Sequence, residues 1–237
     1  ASPFREHGVH LIGFPGCFPN AYAARIMRQL CTHPNVGGVL LVSLGCESFD
    51  RRGLEAAIRS TGRPVKTLVI QESGGTRPTI EAGRRWVEQA REQLATCPRV
   101  PMEISELVVG TICGGSDATS GLTANPATGR AFDLLVEAGA TAIFEETGEL
   151  IGCEHFMAER CTSETLGREV IASVEKAARY YRILGHSSFA PGNADGGLTT
   201  IEEKSLGAYS KSGRSPIAGL IKPGDVPPRG GLYLLDV

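Results

Sequence analysis

The chain alternates short apolar runs that favour β-strands with longer segments of helical periodicity, and this alternation restricts the fold more than any other feature. The runs are rich in Val, Ile, Leu and Thr without strict polar alternation, a pattern typical of strands covered on both faces. Such an order of elements predicts an α/β fold with a mainly parallel sheet. The predicted strands are residues 9–14, 36–44, 65–71, 106–112 and 140–144.

Helices are predicted between these strands. Asn20 and Asp50 stand where N-caps are favoured, directly before helical patterns. We expect one α/β catalytic core over residues 1–184, and we expect residues 185–237, which are rich in Gly, Pro and Ser, to form an extension with one short helix on the same domain. The predicted helices cover residues 21–32, a segment after Asp50, and residues 80–94, 130–138 and 164–184.

Composition excludes several classes of protein. The 237 residues carry a formal charge of −2 with a pI near 6.3, so no broad basic surface favours nucleic acid or an anionic membrane. No apolar run reaches the roughly 18 residues of a spanning helix, and no signal peptide is visible, so we expect a cytoplasmic protein. The seven cysteines are odd in number and predict reduced thiols. The closing GLYLLDV segment is strand-like, and we expect a piece of a longer polypeptide.

Cysteines follow three of the predicted strands. Cys17, Cys46 and Cys113 each stand next to a glycine where a strand ends. Because the carboxyl ends of parallel strands lie along one edge of a sheet, where ligands bind, the three thiols are predicted to hold a metal ion or an iron–sulfur cluster. The alternative is that they are small buried hydrophobic residues. CxxC spacing is absent, which excludes a zinc ribbon.

The turn after the fourth strand has the composition of an anion site. Gly114 and Gly115 precede Ser116 and Asp117, and their backbone N–H groups can face a carboxylate or sulfonate. The sequence contains neither a P-loop nor a GxGxxG motif, so no nicotinamide cofactor is expected. The alternative is a tight turn whose aspartate caps a helix.

Charged residues near the fifth strand and in the C-terminal part are further candidates. Glu145, Glu146 and Glu149 crowd the end of the strand, with His155 nearby, and such carboxylates raise one another's pKa or bind a cation. Alternatively, they are solvated and complement a helix dipole. Lys204 follows capping-box sequences in the first turn of a helix, an unfavourable place for a cation that enzymes use for a basic lysine.

Long motifs resemble a known family. TICGGSDATSGLTANPATG, GNADGGLTTIEEKSLGAYSKSG, PPRGGLYLLD and HPNVGGVLLVSLGCE are similar to the altronate/galactarate dehydratase family, which includes the large subunit of sulfolactate sulfo-lyase. The resemblance implies a Rossmann-like three-layer domain of a longer multi-domain protein. It also implies a homo-oligomer, further N- and C-terminal segments or a small partner subunit, and a divalent metal, iron above all, without NAD.

The resemblance also implies a chemistry, the β-elimination of water from a sugar acid such as altronate or galactarate. Lys204, His155 and Glu145 are then the candidates for proton transfer, and Cys17, Cys46 and Cys113 the metal ligands. A sulfolactate C–S lyase and a non-catalytic assembly domain remain alternatives, whereas a hydrolase is disfavoured because the sequence lacks a G-x-S-x-G elbow. The expected substrate-binding residues are Ser116, Asp117, Thr123 and Asn125.

Overall fold

The computed structural model describes residues 4–14 and 16–237, and the chain divides into two compact units, Ala1–Arg99 and Val100–Val237. Every strand pairing within the described sheets is parallel. The predicted α/β class with parallel strands is therefore confirmed. The first unit contains β1 (Val39–Ser43) and β2 (Val65–Val69); the second contains β3 (Val108–Thr111), β4 (Thr141–Phe144), β5 (Ile217–Ile221) and β6 (Gly231–Leu235), in the order β3-β4-β6-β5.

The helices begin where the sequence places capping residues. The Asn20 side chain accepts a hydrogen bond from the Ala23 N–H at 2.8 Å, and Asp50 accepts one from the Gly53 N–H at 2.9 Å, as predicted. None of the helices in the described ranges has the length and apolar character needed to cross a bilayer. The helices are α1 (Ala21–Thr32), α2 (Arg51–Arg59), α3 (Thr76–Ala95), α4 (Ala124–Glu137), α5 (Glu154–Glu159), α6 (Glu164–Ile183), α7 (Pro191–Asp195) and α8 (Ile201–Ser210).

The first unit has a small core. Cys31 of α1 and Leu54 and Ile58 of α2 are buried together. The prediction of a strand at residues 9–14 is wrong, because this run joins neither β1 nor β2 and Leu11 is 87% exposed. Pro15, in the turn predicted to follow it, lies outside the described residues.

The second unit has a larger core, and its C-terminal strands complete the sheet. Phe144 of β4 and Leu232 and Leu234 of β6 are buried against Val170 and Val174 of α6. Residues 185–237, predicted as an extension with one short helix, hold two helices, α7 and α8, and two strands, β5 and β6, and β6 pairs with both β4 and β5. The observed division also falls after Arg99 rather than at residue 184, because each unit builds its own sheet.

Candidate functional site

Two strand-end turns of the second unit meet because β3 and β4 are parallel neighbours in register. Thr111 stands opposite Phe144, so the turns that follow these residues lie side by side. The Cys113 N–H donates to the Glu146 carboxylate at 2.9 Å, which joins the two turns directly. The Cys113 Sγ also lies 3.3 Å from the Ser116 Oγ.

Glu146 has an unfavourable backbone conformation. Its φ of 78° is left-handed, and among the described residues it is the one non-glycine with a positive φ. Such a conformation costs about 1–3 kcal/mol and persists where surrounding contacts enforce it, often at functional sites. Here the enforcing contacts include the Cys113 N–H and the Lys211 ammonium, whose Nζ lies 3.2 Å from the Glu146 carboxylate.

Two buried lysines approach the carboxylates. Lys204 and Lys211 are 6% and 7% exposed. The Lys204 Nζ lies 2.8 Å from Glu149 and also donates to the Ser188 carbonyl, whereas the Lys211 Nζ lies 3.8 Å from Glu149. Sequence reasoning missed Lys211. Its spacing of seven residues from Lys204 places both on one helical face, and this was the available signal.

The electrostatic environment differs between the three glutamates. Burial raises the pKa of Glu146, and the negative charge of Glu149 raises it further. Burial alone would raise the pKa of Glu149, but the hydrogen bond and charge of Lys204, together with Lys211, outweigh it and lower that pKa. Burial raises the pKa of Glu145. The lysines therefore favour ionised Glu149, while its two neighbours retain protons more readily.

The same residues form a candidate cation site. One ligand atom each from Cys113, Glu146 and Glu149 lies within 4.8 Å of the others. The Glu149 Oε2 is buried and has no hydrogen-bond partner among the described residues, although the Lys211 Nζ lies 3.8 Å from it. A thiolate with two carboxylates is a donor set that suits a divalent transition metal. The residues present therefore fit such an ion.

The other two predicted thiol ligands lie in the first unit. Cys17 and Cys46 are both exposed. The Ser48 N–H donates to the Cys17 carbonyl at 2.8 Å, so the turns that carry these cysteines adjoin each other. Their participation in one metal site with Cys113 stays a prediction.

A cleft of about 260 Å³ is lined in part by Ser116, Asp117, Asn125 and Lys204. Hydrogen bonds from the Thr119 hydroxyl, and then from Ser120, lower the pKa of Asp117 to about 2. The lining of the cleft thus includes a hydrogen-bonded carboxylate and a buried lysine.

The remaining candidates have other positions. Thr123 is exposed, and its hydroxyl donates to the Thr119 carbonyl at 2.8 Å. His155 is exposed on α5, and neither residue belongs to the described lining of the cleft. Glu203 accepts hydrogen bonds from the N–H and the hydroxyl of Thr199 at 2.7 and 2.6 Å, next to the start of α8.

Comparison with known protein families gives a match for each of the two units. Residues 104–237 match the family described as D-galactarate/altronate dehydratase, C-terminal, and residues 6–95 match the second domain of D-galactarate dehydratase/altronate hydrolase. The chain belongs to the D-galactarate/altronate dehydratase family. The two matched regions of this family member correspond to its two compact units, and the predicted resemblance is confirmed.

Named relatives of this dehydratase-family chain cover most of it. The altronate dehydratase of Bacillus subtilis (strain 168) is 33% identical over 90% of this chain and 43% of its own length. The galactarate dehydratase (L-threo-forming) of Escherichia coli (strain K12) is 36% identical over 88% and 42%. The (2R)-sulfolactate sulfo-lyase subunit beta of Chromohalobacter salexigens is 37% identical over 86% and 53%. The chain thus spans about half the length of these relatives.

Proposed function

We propose that the chain carries catalytic machinery of a lyase that removes water from a sugar acid such as altronate or galactarate. Two of the relatives described above are named altronate dehydratase and galactarate dehydratase. The observation that carries the proposal is the buried ion pair of Lys204 and Glu149, 2.8 Å apart, beside a polar cleft and the Cys113 turn. Buried charged groups of this kind concentrate at catalytic sites.

The proposed reaction is a β-elimination. A base removes the proton α to the substrate carboxylate, the β-hydroxyl leaves with a proton from an acid, and the resulting enol becomes a 2-keto-3-deoxy acid. The α proton is weakly acidic beside an ionised carboxylate, so a base must lie within hydrogen-bond reach and the developing negative charge must be stabilised. Lys204 and Glu145 are the proposed proton-transfer residues.

The proposal includes a divalent metal ion, with iron(II) as the first candidate. Cys113, Glu146 and Glu149 would hold the ion, with Cys17 and Cys46 as the further ligands predicted from the sequence. When bound, such an ion stabilises negative charge on substrate oxygens. Lys211 lies 3.2 Å from Glu146 and orients this carboxylate within the group.

The cleft provides the proposed substrate contacts. Ser116, Asp117 and Asn125 line it and are proposed to bind substrate hydroxyls. An ammonium group has three donors, and Lys204 uses two of them on Ser188 and Glu149. The third is proposed to bind a substrate oxygen. His155 remains an alternative for proton transfer and Thr123 for substrate binding, although neither residue lines the described cleft.

The direct test is turnover by the iron(II)-loaded chain under anaerobic conditions with altronate and galactarate. We expect formation of a 2-keto-3-deoxy acid, and we expect Lys204→Met to abolish it while ligand-induced thermal stabilisation decreases only partly. The control is Lys222→Met, an exposed lysine after β5. Equal turnover by Lys204→Met and wild type would refute the proposed role of Lys204.

The C–S lyase alternative rests on the 37% identity to the sulfolactate sulfo-lyase subunit. Incubation with sulfolactate distinguishes it, because that reaction releases sulfite whereas dehydration releases water. The assembly-domain alternative predicts that neither the sugar acids nor sulfolactate stabilises the chain against heat in the presence of iron(II).

A further inference from the structure

Residues 188–197 connect three parts of the candidate site, and we name them the brace. The Ser188 hydroxyl donates to the Gly148 carbonyl at 2.6 Å, and the Ser188 carbonyl accepts from Lys204. Further along, the Asn193 Nδ2 donates to the Ser116 carbonyl at 3.0 Å. The brace therefore contacts the turn after β3, the turn after β4 and the helix α8.

Asn193 uses both ends of its amide. It is buried, with 8% of its surface exposed, and its Oδ1 accepts from the Ala190 N–H at 2.8 Å while its Nδ2 donates to Ser116. The first bond closes the start of α7, and the second fixes the turn that carries Cys113. Since a carboxylate lacks the donor and an apolar side chain lacks both groups, asparagine is required for this pair of contacts.

The brace also packs tightly against the turn. The Ala118 N–H donates to the Gly196 carbonyl at 2.9 Å. A Cβ placed on Gly196 would lie 2.9 Å from the Asp117 Cβ, a contact that real Cβ atoms do not make. A side chain at residue 196 would therefore push the brace and the turn apart.

The Thr119 and Ser120 end of the turn is held by hydrogen bonds to Asp117, whereas its glycine pair has open space around it. Gly114 and Gly115 are exposed, and a Cβ on either would meet no atom within 4 Å in the described structure. Ser116 connects the brace to the thiol, because Asn193 holds its carbonyl while its Oγ lies 3.3 Å from the Cys113 Sγ.

We propose that Asn193 is a positioning residue that keeps the Cys113 thiol beside the carboxylates of Glu146 and Glu149. The proposal rests on the proposed function only in treating this turn as part of the site. Loss of the Asn193–Ser116 hydrogen bond allows the turn to open locally, which changes the accessibility of the thiol without unfolding the second unit.

The test variant is Asn193→Asp, which retains an acceptor for Ala190 and removes the donor to Ser116. Peptide-resolved mass spectrometry measures the rate at which iodoacetamide alkylates each cysteine. We expect Cys113 to react about tenfold faster in the variant, the effect of losing one hydrogen bond of typical net strength. Cys97, exposed in the first unit, is the internal reference and should keep its rate.

Ser163→Ala is the matched control for stability. Ser163 caps α6 by accepting from the Leu166 N–H at 3.2 Å, so its loss destabilises the same unit through another element. An unchanged Cys113 rate in Asn193→Asp, or an equal increase in Ser163→Ala, would overturn the proposal. If Asn193→Asp does not fold, Gly196→Ala replaces it, with the same expected increase and the same contrary outcomes.

A spectroscopic measurement separates this inference from the proposed function. Cobalt(II) bound to a thiolate gives a charge-transfer band, which we expect in wild type and Ser163→Ala and expect to be weakened in Asn193→Asp. A normal band in Asn193→Asp would count against the positioning role. If no protein shows a band, the proposed metal site fails, while the alkylation rates still decide the role of Asn193.

Discussion

The two units place a cysteine, a glycine and a carboxylate at the end of a parallel strand, but the surroundings of these residues differ. In the first unit Cys46 is exposed, and the neighbouring Glu47 accepts hydrogen bonds from Ser43 and from the Gly45 N–H within its own turn. In the second unit Cys113 is half-buried and contacts a second turn through Glu146. A similar sequence pattern thus gives a carboxylate bonded near its own turn in one unit, and a carboxylate that joins a second turn and a buried lysine in the other.

The largest expected effect tests the buried ion pair. Lys204→Met leaves Glu149, whose side chain is only 15% exposed, without its closest partner, and should lower the free energy of unfolding by about 3–5 kcal/mol. Hydrogen exchange of the β6 amides measures the stability of the second unit.

Arg51→Met is the matched change in the first unit. Arg51 lies 3.7 Å from Glu72, whose side chain is 72% exposed, so its loss should cost under about 1 kcal/mol. Trp86 in α3 is the one tryptophan of the sequence, and its fluorescence follows unfolding of this unit. Equal losses of unfolding free energy in Lys204→Met and Arg51→Met would show that the two ion pairs stabilise their units to the same extent.

Tight packing beside the cleft gives the next effect. A Cβ on Gly121 would lie 2.9 Å from the Gly207 Cα, so Gly121→Ala should destabilise the second unit by about 1–3 kcal/mol through overpacking. Gly114→Ala is the control, since its Cβ would have no neighbour within 4 Å and its stability should match wild type. Chemical denaturation of both variants measures the difference, and a fully stable Gly121→Ala would show that the two backbones can separate.

The reactivity of the cysteine thiols should also differ between the two units. We expect iodoacetamide to modify Cys17 and Cys46 first and Cys113 more slowly, in line with their exposure. Cys153, 1% exposed, should react last, because burial and then the charges of Glu154 and Glu202 raise its pKa to about 11. Modification of Cys113 as fast as Cys46 would show that the second turn is as open as the first.

The smallest effect concerns Asp117. Because its pKa in the folded protein, about 2, lies below the ordinary value of 3.8, its hydrogen bonds favour the folded state above pH 3.8 and lose this contribution as the pH falls through 2. Carboxyl NMR should give a midpoint near 2, and Thr119→Val with Ser120→Ala should raise it. A midpoint at the ordinary value in wild type would contradict the observed hydrogen bonds.

Local signals in the sequence predicted much of the fold. Asn20 and Asp50 mark helix starts because capping depends on residues three positions away. The strand prediction for residues 9–14 failed because an apolar run forms a strand only if a neighbouring strand is available to pair with it. The strand-like GLYLLDV segment indicated β6, whereas β5 was not predicted, because it lies in a part of the chain rich in Gly and Pro and depends on pairing with β6.

Local sequence also predicted part of the candidate site. Ser116, Asp117 and Asn125 lie within one motif and reach one cleft together with Lys204. Lys211 and Asn193 were missed, because their importance comes from contacts with Glu146 and Ser116, which lie 65 and 77 positions away in sequence. Such contacts depend on how segments far apart in sequence pack together, and the helical spacing of Lys204 and Lys211 was the local signal for one of them.

We propose that the second unit binds a divalent cation through Cys113, Glu146 and Glu149. Anaerobic titration with cobalt(II) tests it most directly in wild type, Cys113→Ser and Cys161→Ser, the last being a half-buried thiol of the same unit that donates to the Met157 carbonyl. We expect a thiolate-to-cobalt band in wild type and Cys161→Ser, and a weaker band or none in Cys113→Ser. A band of full intensity in Cys113→Ser would contradict the proposal.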